Sequence, residues 1–319
     1  MITLHPGVPL VEVVRSGVVE SVHTGHLVAL DPSGGVLAAF GDPQQPMFPR
    51  SSNKPLQAVG MRRLGLDVEP EQLALACASH SGEPMHLAVV QAMLARGGFT
   101  VEDLGCPPDR PLGEAAREEW IASRRQPARI AMNCSGKHAA MLLTAAARDW
   151  PIESYLDPMH PLQQALAGTV AELSGDQVRG LGVDGCGAPV LAISLYGVAR
   201  AFSRLALAAG GPQRDVADAM RARPDLVGGS ARPVTQLMSG IPGLIAKDGA
   251  EGVWAAALPD GSALAIKIDD GAMRAADRAV VAALRILGVE AGVLDELAEL
   301  ALLGGGVPVG VVRFRPAAR

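Results

Sequence analysis

The chain has 319 residues and a net charge of −5 with both signs intermixed, so it offers no basic stripe for nucleic acid. Its 49% hydrophobic share, with only 3% aromatic residues, supports a large core built mainly from Ala, Val and Leu. Residues 1–7 carry no basic or apolar signal region, no run approaches the roughly 18 apolar residues of a membrane span, and four dispersed cysteines cannot staple a chain this long. A soluble, cytoplasmic protein with reduced thiols and no membrane partner is the expectation.

In chain order, the alternation of apolar and polar residues predicts strands at 10–14, 18–22, 26–30 and 36–40, separated by Gly-containing turns, which read as an antiparallel meander. Helical periodicity follows at 57–64, 71–77, 85–95, 138–147, 162–173, 191–209 and 216–222, with a strand-like Ile130-Ala131-Met132 before Asn133. Strand patterns return at 252–258 and 263–268, joined by the turn Pro259-Asp260-Gly261-Ser262. Helices at 274–287 and 294–302 come next, and Gly304-Gly305-Gly306 marks a turn before the last apolar stretch. The pattern implies one domain over 1–319, of class α+β. Both chain ends (8–40 and 250–290, with flanking helices) form an antiparallel sheet, and 54–245 is a mostly helical inserted region.

Only four of the 28 basic residues are lysines, and each sits in a polar cluster: Lys54 in Arg50-Ser51-Ser52-Asn53-Lys54, Lys137 in Asn133-Cys134-Ser135-Gly136-Lys137-His138, Lys247 in Lys247-Asp248-Gly249, and Lys267 in Ile266-Lys267-Ile268-Asp269-Asp270. The only two asparagines, Asn53 and Asn133, fall in the first two. Lysine can lose its proton and act as a base or ligand, whereas arginine cannot. Ser51 and Lys54 lie three apart at a helix start, the Ser-x-x-Lys spacing in which a neutral lysine takes the serine proton. A free lysine is neutral in only about one part in a thousand at neutral pH, a deficit of about 4 kcal/mol that burial or a second ammonium must offset. The plainer reading of Ser51 is a helix cap, and of Ser79-His80-Ser81 a capping turn. Cys134 and Cys186, with nitrogen ligands, would suit zinc, but no Cys-x-x-Cys supports it and buried structural cysteines are the alternative. Asp184, in Gly182-Val183-Asp184-Gly185-Cys186, could meet a substrate ammonium or simply shape a turn.

Together, Phe48-Pro49-Arg50-Ser51 with Lys54, Cys77-Ala78-Ser79-His80-Ser81-Gly82-Glu83, the Asn133–His138 and Gly182–Cys186 segments, Lys247 with Gly249-Ala250-Glu251-Gly252-Val253, and residues 264–271 resemble the inducible, thermolabile, Rhizobium etli-type L-asparaginases. The resemblance runs from about Gly17 to Leu287. It implies a fold similar to serine β-lactamases, DD-peptidases and serine-dependent glutaminases. It further implies hydrolysis of L-asparagine through two Ser/Lys tandems, Ser51 with Lys54 and Ser79 (or Ser81) with Lys267. It also implies zinc held by Cys134, Lys137 and Cys186, substrate contacts from Arg50, His138 and Asp184, and a homodimer. In that scheme Ser51 attacks the carboxamide, Lys54 takes its proton, Asp184 binds the α-ammonium and Arg50 the α-carboxylate. Pro55 and the Arg232-Pro233-Val234-Thr235 segment depart from the family pattern. The rival readings are a serine-dependent glutaminase or β-lactamase-like amidohydrolase, and a non-catalytic amino-acid or zinc-binding protein.

Overall fold

Valine-rich alternation forms β1 (Val8–Arg15) and β2 (Val18–Leu30), joined at Ser16 and Gly17, whose φ angles of 49° and 82° make a two-residue hairpin turn. The computed structural model describes residues 5–315. The strands expected at 18–22 and 26–30 are one continuous strand. The polar interruption does not turn the chain, because His23 bonds Asp270 at 2.6 Å and Thr24 Oγ1 donates to Asp269 at 2.7 Å. β3 (Val36–Phe40) pairs with β2, and β4 (Pro46–Met47) leads into a 3-10 turn at Arg50–Asn53.

The helical region contains α1 (Lys54–Arg63), α2 (Pro70–Ala76), α3 (Pro84–Arg96), α4 (Glu114–Ala122), α5 (Ser135–Ala147) and α6 (Pro161–Ser174). A hairpin of β5 (Gly180–Val183) and β6 (Pro189–Ser194) then joins β4 in a small sheet. After it come α7 (Leu195–Leu207), α8 (Gly211–Ala222), α9 (Pro224–Val227) and α10 (Pro233–Gly240). The helix expected from 191 starts only at Leu195, since Ser194 caps it by accepting the Gly197 N–H at 2.9 Å and the preceding residues pair with β5. The strand expected at 130–132 is instead a 3-10 turn at Arg129–Ala131.

The chain closes with β7 (Ile245–Gly249), β8 (Val253–Ala257), β9 (Ala263–Ile268), α11 (Met273–Ile286), α12 (Gly292–Ala298), β10 (Glu299–Gly304) and β11 (Val307–Phe314). The helix expected through 302 therefore ends at Ala298. Gly305 and Gly306, at φ 59° and 83°, turn β10 back on β11, and this pairing claims residues 299–302 for the sheet. The large sheet is antiparallel with order β10-β11-β1-β2-β9-β8-β7 and β3 also on β2, so both chain ends build it, as the α+β reading requires. β8 is buried at every position, and α7 and α11 both pack on β8 and β9. The mainly helical region fills the space beyond α7.

One titratable group lies inside this packing. Asp277 of α11 accepts the Trp254 indole N–H at 3.1 Å, and burial pushes its carboxyl up from 3.8 to about 6. The folded chain thus holds a proton that the unfolded chain releases between these values, so stability is lost as pH rises through that window. Asp277→Asn should raise the stability measured by urea unfolding near neutral pH by about 2 kcal/mol, with little gain below the window. An equal effect at both pH values would contradict this assignment.

Candidate functional site

The site begins where the 3-10 turn meets the end of β7. Arg50 enters that turn at φ 51°, a left-handed conformation uncommon for a residue with a Cβ. Gly249 makes the approach possible, because a Cβ there would stand 2.8 Å from Pro49 O and 3.1 Å from Ser52 N. Ser52 Oγ donates to Pro49 O at 2.7 Å. The Ser51 hydroxyl has no hydrogen-bond partner among the described residues, and Ser51 is 9% exposed.

Lys54, the first residue of α1, is buried, and Pro55 behind it sits in the first turn, where a missing N–H does no harm. Lys54 Nζ donates to Ala78 O at 2.5 Å and to Ser79 Oγ at 3.1 Å. Lys54 is therefore hydrogen-bonded to Ser79 rather than to Ser51. Ser81, the alternative to Ser79, gives its hydroxyl to Gly228 O at 2.9 Å. Lys267 does not meet Ser79: its Nζ donates to Glu251 O at 2.5 Å and Ile268 O at 2.6 Å, and it stands near Arg50.

The lysine near Lys54 is Lys247, which the sequence reading left without a role. It is fully buried on β7 and donates to Asp248 O at 2.6 Å and Oδ1 at 2.5 Å. Burial brings its amine down to about 8; Asp248 opposes that, while Lys54 and Arg232 add to it. Asp248, despite burial, is held at about 2 by Lys247 and Arg232. Arg232 bonds Asp248 and also donates to Ser79 O at 2.6 Å. Lys247-Asp248 stands inside the buried run Ile245–Gly249, where unpaired charge is costly.

Cys134, Lys137 and Cys186 do converge. Lys137 Nζ lies 3.1 Å from Cys186 Sγ, and Cys134 Sγ reaches Asn133 Oδ1 at 3.2 Å and also faces Cys186. The adjacent Cys134 holds the Cys186 thiol far below its usual range despite burial, with Lys137 assisting, and Cys134 is correspondingly raised. Burial opposes the Lys137 charge, but the two sulfurs outweigh it and hold the amine above its ordinary value. His138 is wholly buried behind this cluster, with Nδ1 2.7 Å from Tyr155 Oη, which accepts the Gly105 N–H at 2.7 Å. Its Nε2 has no partner and lies beside Cys186.

No group of three His, Cys, Asp or Glu side chains stands close enough to hold a metal among the described residues. The donor set here includes a lysine instead. Two buried thiols and one buried amine, Cys134, Cys186 and Lys137, are donors of the kind a soft divalent ion such as zinc accepts.

At the mouth, the β5–β6 hairpin turn presents Asp184, whose Oδ1 accepts Arg50 Nε at 2.7 Å and Gly185 N at 2.9 Å. Arg50 also faces Glu251 at 3.8 Å. Arg50 thus lies between Asp184 and Glu251, and Lys267 stands near both Arg50 and Glu251.

The buried Lys54 amine beside the Ser79 hydroxyl is an arrangement compatible with hydrolysis. The chain belongs to the L-asparaginase II family, whose model matches residues 11–314. No curated protein matches it. Among solved structures, it is similar to a β-lactamase from Mycobacterium bovis (15% identity over 83% of this chain and 94% of that one, TM-score 0.38). It is also similar to EstCE1, a hydrolase with promiscuous acyltransferase activity (12% identity, 82% and 88% covered, TM-score 0.37). No helix among the described residues is long and apolar enough to cross a membrane.

Gly249→Ala should push the Ser51 turn off β7 and lower hydrolytic turnover about 100-fold, with an unchanged circular dichroism spectrum. Wild-type turnover in this variant would show that the close approach has no catalytic consequence.

Proposed function

We propose that the protein hydrolyses L-asparagine to L-aspartate and ammonia. The observation that carries this reading is the buried Lys54 amine 3.1 Å from Ser79 Oγ, one turn from the uncommitted Ser51 hydroxyl and the Arg50–Asp184 pair. An α-carboxylate would take Arg50, with Lys267 adding positive charge beside it, and the α-ammonium would take Asp184. The side-chain carboxamide then points inward toward Ser51.

In this scheme Ser51 Oγ attacks the carboxamide carbon. Its proton passes through Ser79 Oγ to Lys54, and the same proton leaves with ammonia as the C–N bond breaks. Water then cleaves the aspartyl ester by the reverse proton route and restores Ser51. Lys247, rather than Lys267, is the second buried amine near Lys54. Cys134, Lys137 and Cys186 would hold zinc, which when bound supplies positive charge that orients the substrate. His138 supports Cys186 from behind rather than touching substrate.

Ser51→Ala should abolish ammonia release from asparagine while urea unfolding stays within about 1 kcal/mol of wild type. Activity near wild type would remove Ser51 as the nucleophile. Assaying asparagine beside glutamine and a chromogenic β-lactam separates this reading from a glutaminase or β-lactamase, and asparagine binding without turnover would indicate a sensor. For the metal, protein purified without chelator should contain about one zinc per chain by elemental analysis, and Cys134→Ser should contain much less. Equal content in both preparations would exclude this cluster as the zinc site.

A further inference from the structure

Residues 227–232, between α9 and α10, hold the turn that carries Ser79 from both sides. Ser79 donates its N–H to Val227 O at 3.1 Å, and Ser81 gives its hydroxyl to Gly228 O. Ser230 donates from N and Oγ to the Glu83 carboxylate at 2.9 and 2.5 Å. Arg232 ends this strap. One of its terminal nitrogens donates to Ser79 O at 2.6 Å and the other bonds Asp248, whose second oxygen accepts Lys247 at 2.5 Å. Both backbone polar groups of Ser79 are thus tied to one short segment. No step proposed above uses Arg232.

We infer that Arg232 is a positioning residue for the hydrolysis proposed above: its fork fixes the Ser79 backbone in register with Lys54 and shares the Asp248 carboxylate, so that this carboxylate cannot fully stabilise a Lys247 ammonium. A guanidinium keeps its charge at every working pH, which suits this task. The groups that face Lys247 are Asp248 on its own strand, Lys54 from α1, Arg232 from the strap, and the Cys77 thiol at the end of α2. Asp277 of α11 faces Asp248 and Arg232 from farther off. Only Asp248 favours the charged amine strongly, while Lys54, Arg232 and burial oppose it. Removing Arg232 deletes an opposing cation and leaves Asp248 wholly to Lys247. Both changes raise the pH at which Lys247 loses its proton.

The inference rests on the asparagine-hydrolysis reading only for its kinetic readout, because the protein allows an independent one. With four lysines in the chain, a sample labelled with 13Cε-lysine gives four signals, and Lys247→Met identifies the one from Lys247. In wild type that signal should titrate near pH 8. In Arg232→Gln it should move upward by about one pH unit. Arg232→Lys keeps the cation but cannot bridge two acceptors, so Lys247 should titrate as in wild type while kcat falls about tenfold. An unmoved Lys247 signal in Arg232→Gln, or equal displacement in both variants, overturns the inference. Should Arg232→Gln not fold, Arg232→Met takes its place with the same two outcomes. If wild type releases no ammonia from asparagine, the proposed function fails, and the lysine titration still decides the role of Arg232.

Discussion

The structure depends on keeping three lysine amines out of water. Lys54, Lys137 and Lys247 are each no more than 2% exposed. An ammonium offers up to three donors, and leaving them without acceptors inside a core costs several kcal/mol. Each amine therefore draws distant segments together: Lys54 joins α1 to the carbonyl and hydroxyl of residues 78 and 79, Lys137 joins α5 to Cys186, and Lys247 is held by Asp248, which reaches Arg232. The groups fit for chemistry and the groups that pin the fold are the same groups. A substitution at any of them acts on both.

The charges are arranged by depth. At the rim, Arg50, Lys267, Asp184 and Glu251 remain partly hydrated. Deeper, Lys247, Asp248, Lys137 and Cys186 are buried and keep fixed partners, while Arg232 reaches Asp248 from a partly exposed position. A preorganised interior of this sort stabilises developing charge without rearranging during reaction. The left-handed Arg50 stands between the two zones, so one strained residue orients both the rim guanidinium and the serine that follows it.

Much of this was legible from the chain. Residues 54–222 showed most helices because their apolar faces repeat with helical period, and the strands at both ends showed alternation. Short elements such as α9 and α10 escaped because a turn or two of helix carries too little pattern. The final helix was extended too far because the run from Leu294 to Leu302 suits either structure, and only pairing with β11 decides it. At the site, Ser51 and Lys54 could be singled out by residue type and spacing, and Cys134, Lys137 and Cys186 as a set through the family resemblance. Which lysine accompanies Lys54 could not, because that depends on β7 lying against the 3-10 turn, a contact made across almost two hundred residues. Lys247 and Lys267 look alike in sequence, and burial alone separates them.

The order of strands also bears on how the molecule comes into being. β1, near the start of the chain, lies between β2 and β11, and Val11 faces Phe314 across that ladder. A nascent chain leaving the ribosome can close the β1–β2 hairpin early, yet one flank of β1 stays open until β11 has emerged. Pairing at such separation is slow because a long loop must close first. Until then the apolar flank of β1 is an unguarded edge, a surface on which chaperones or neighbouring chains can act. Closure of the sheet thus waits on β11, and losing that strand would leave β1 paired on one side only.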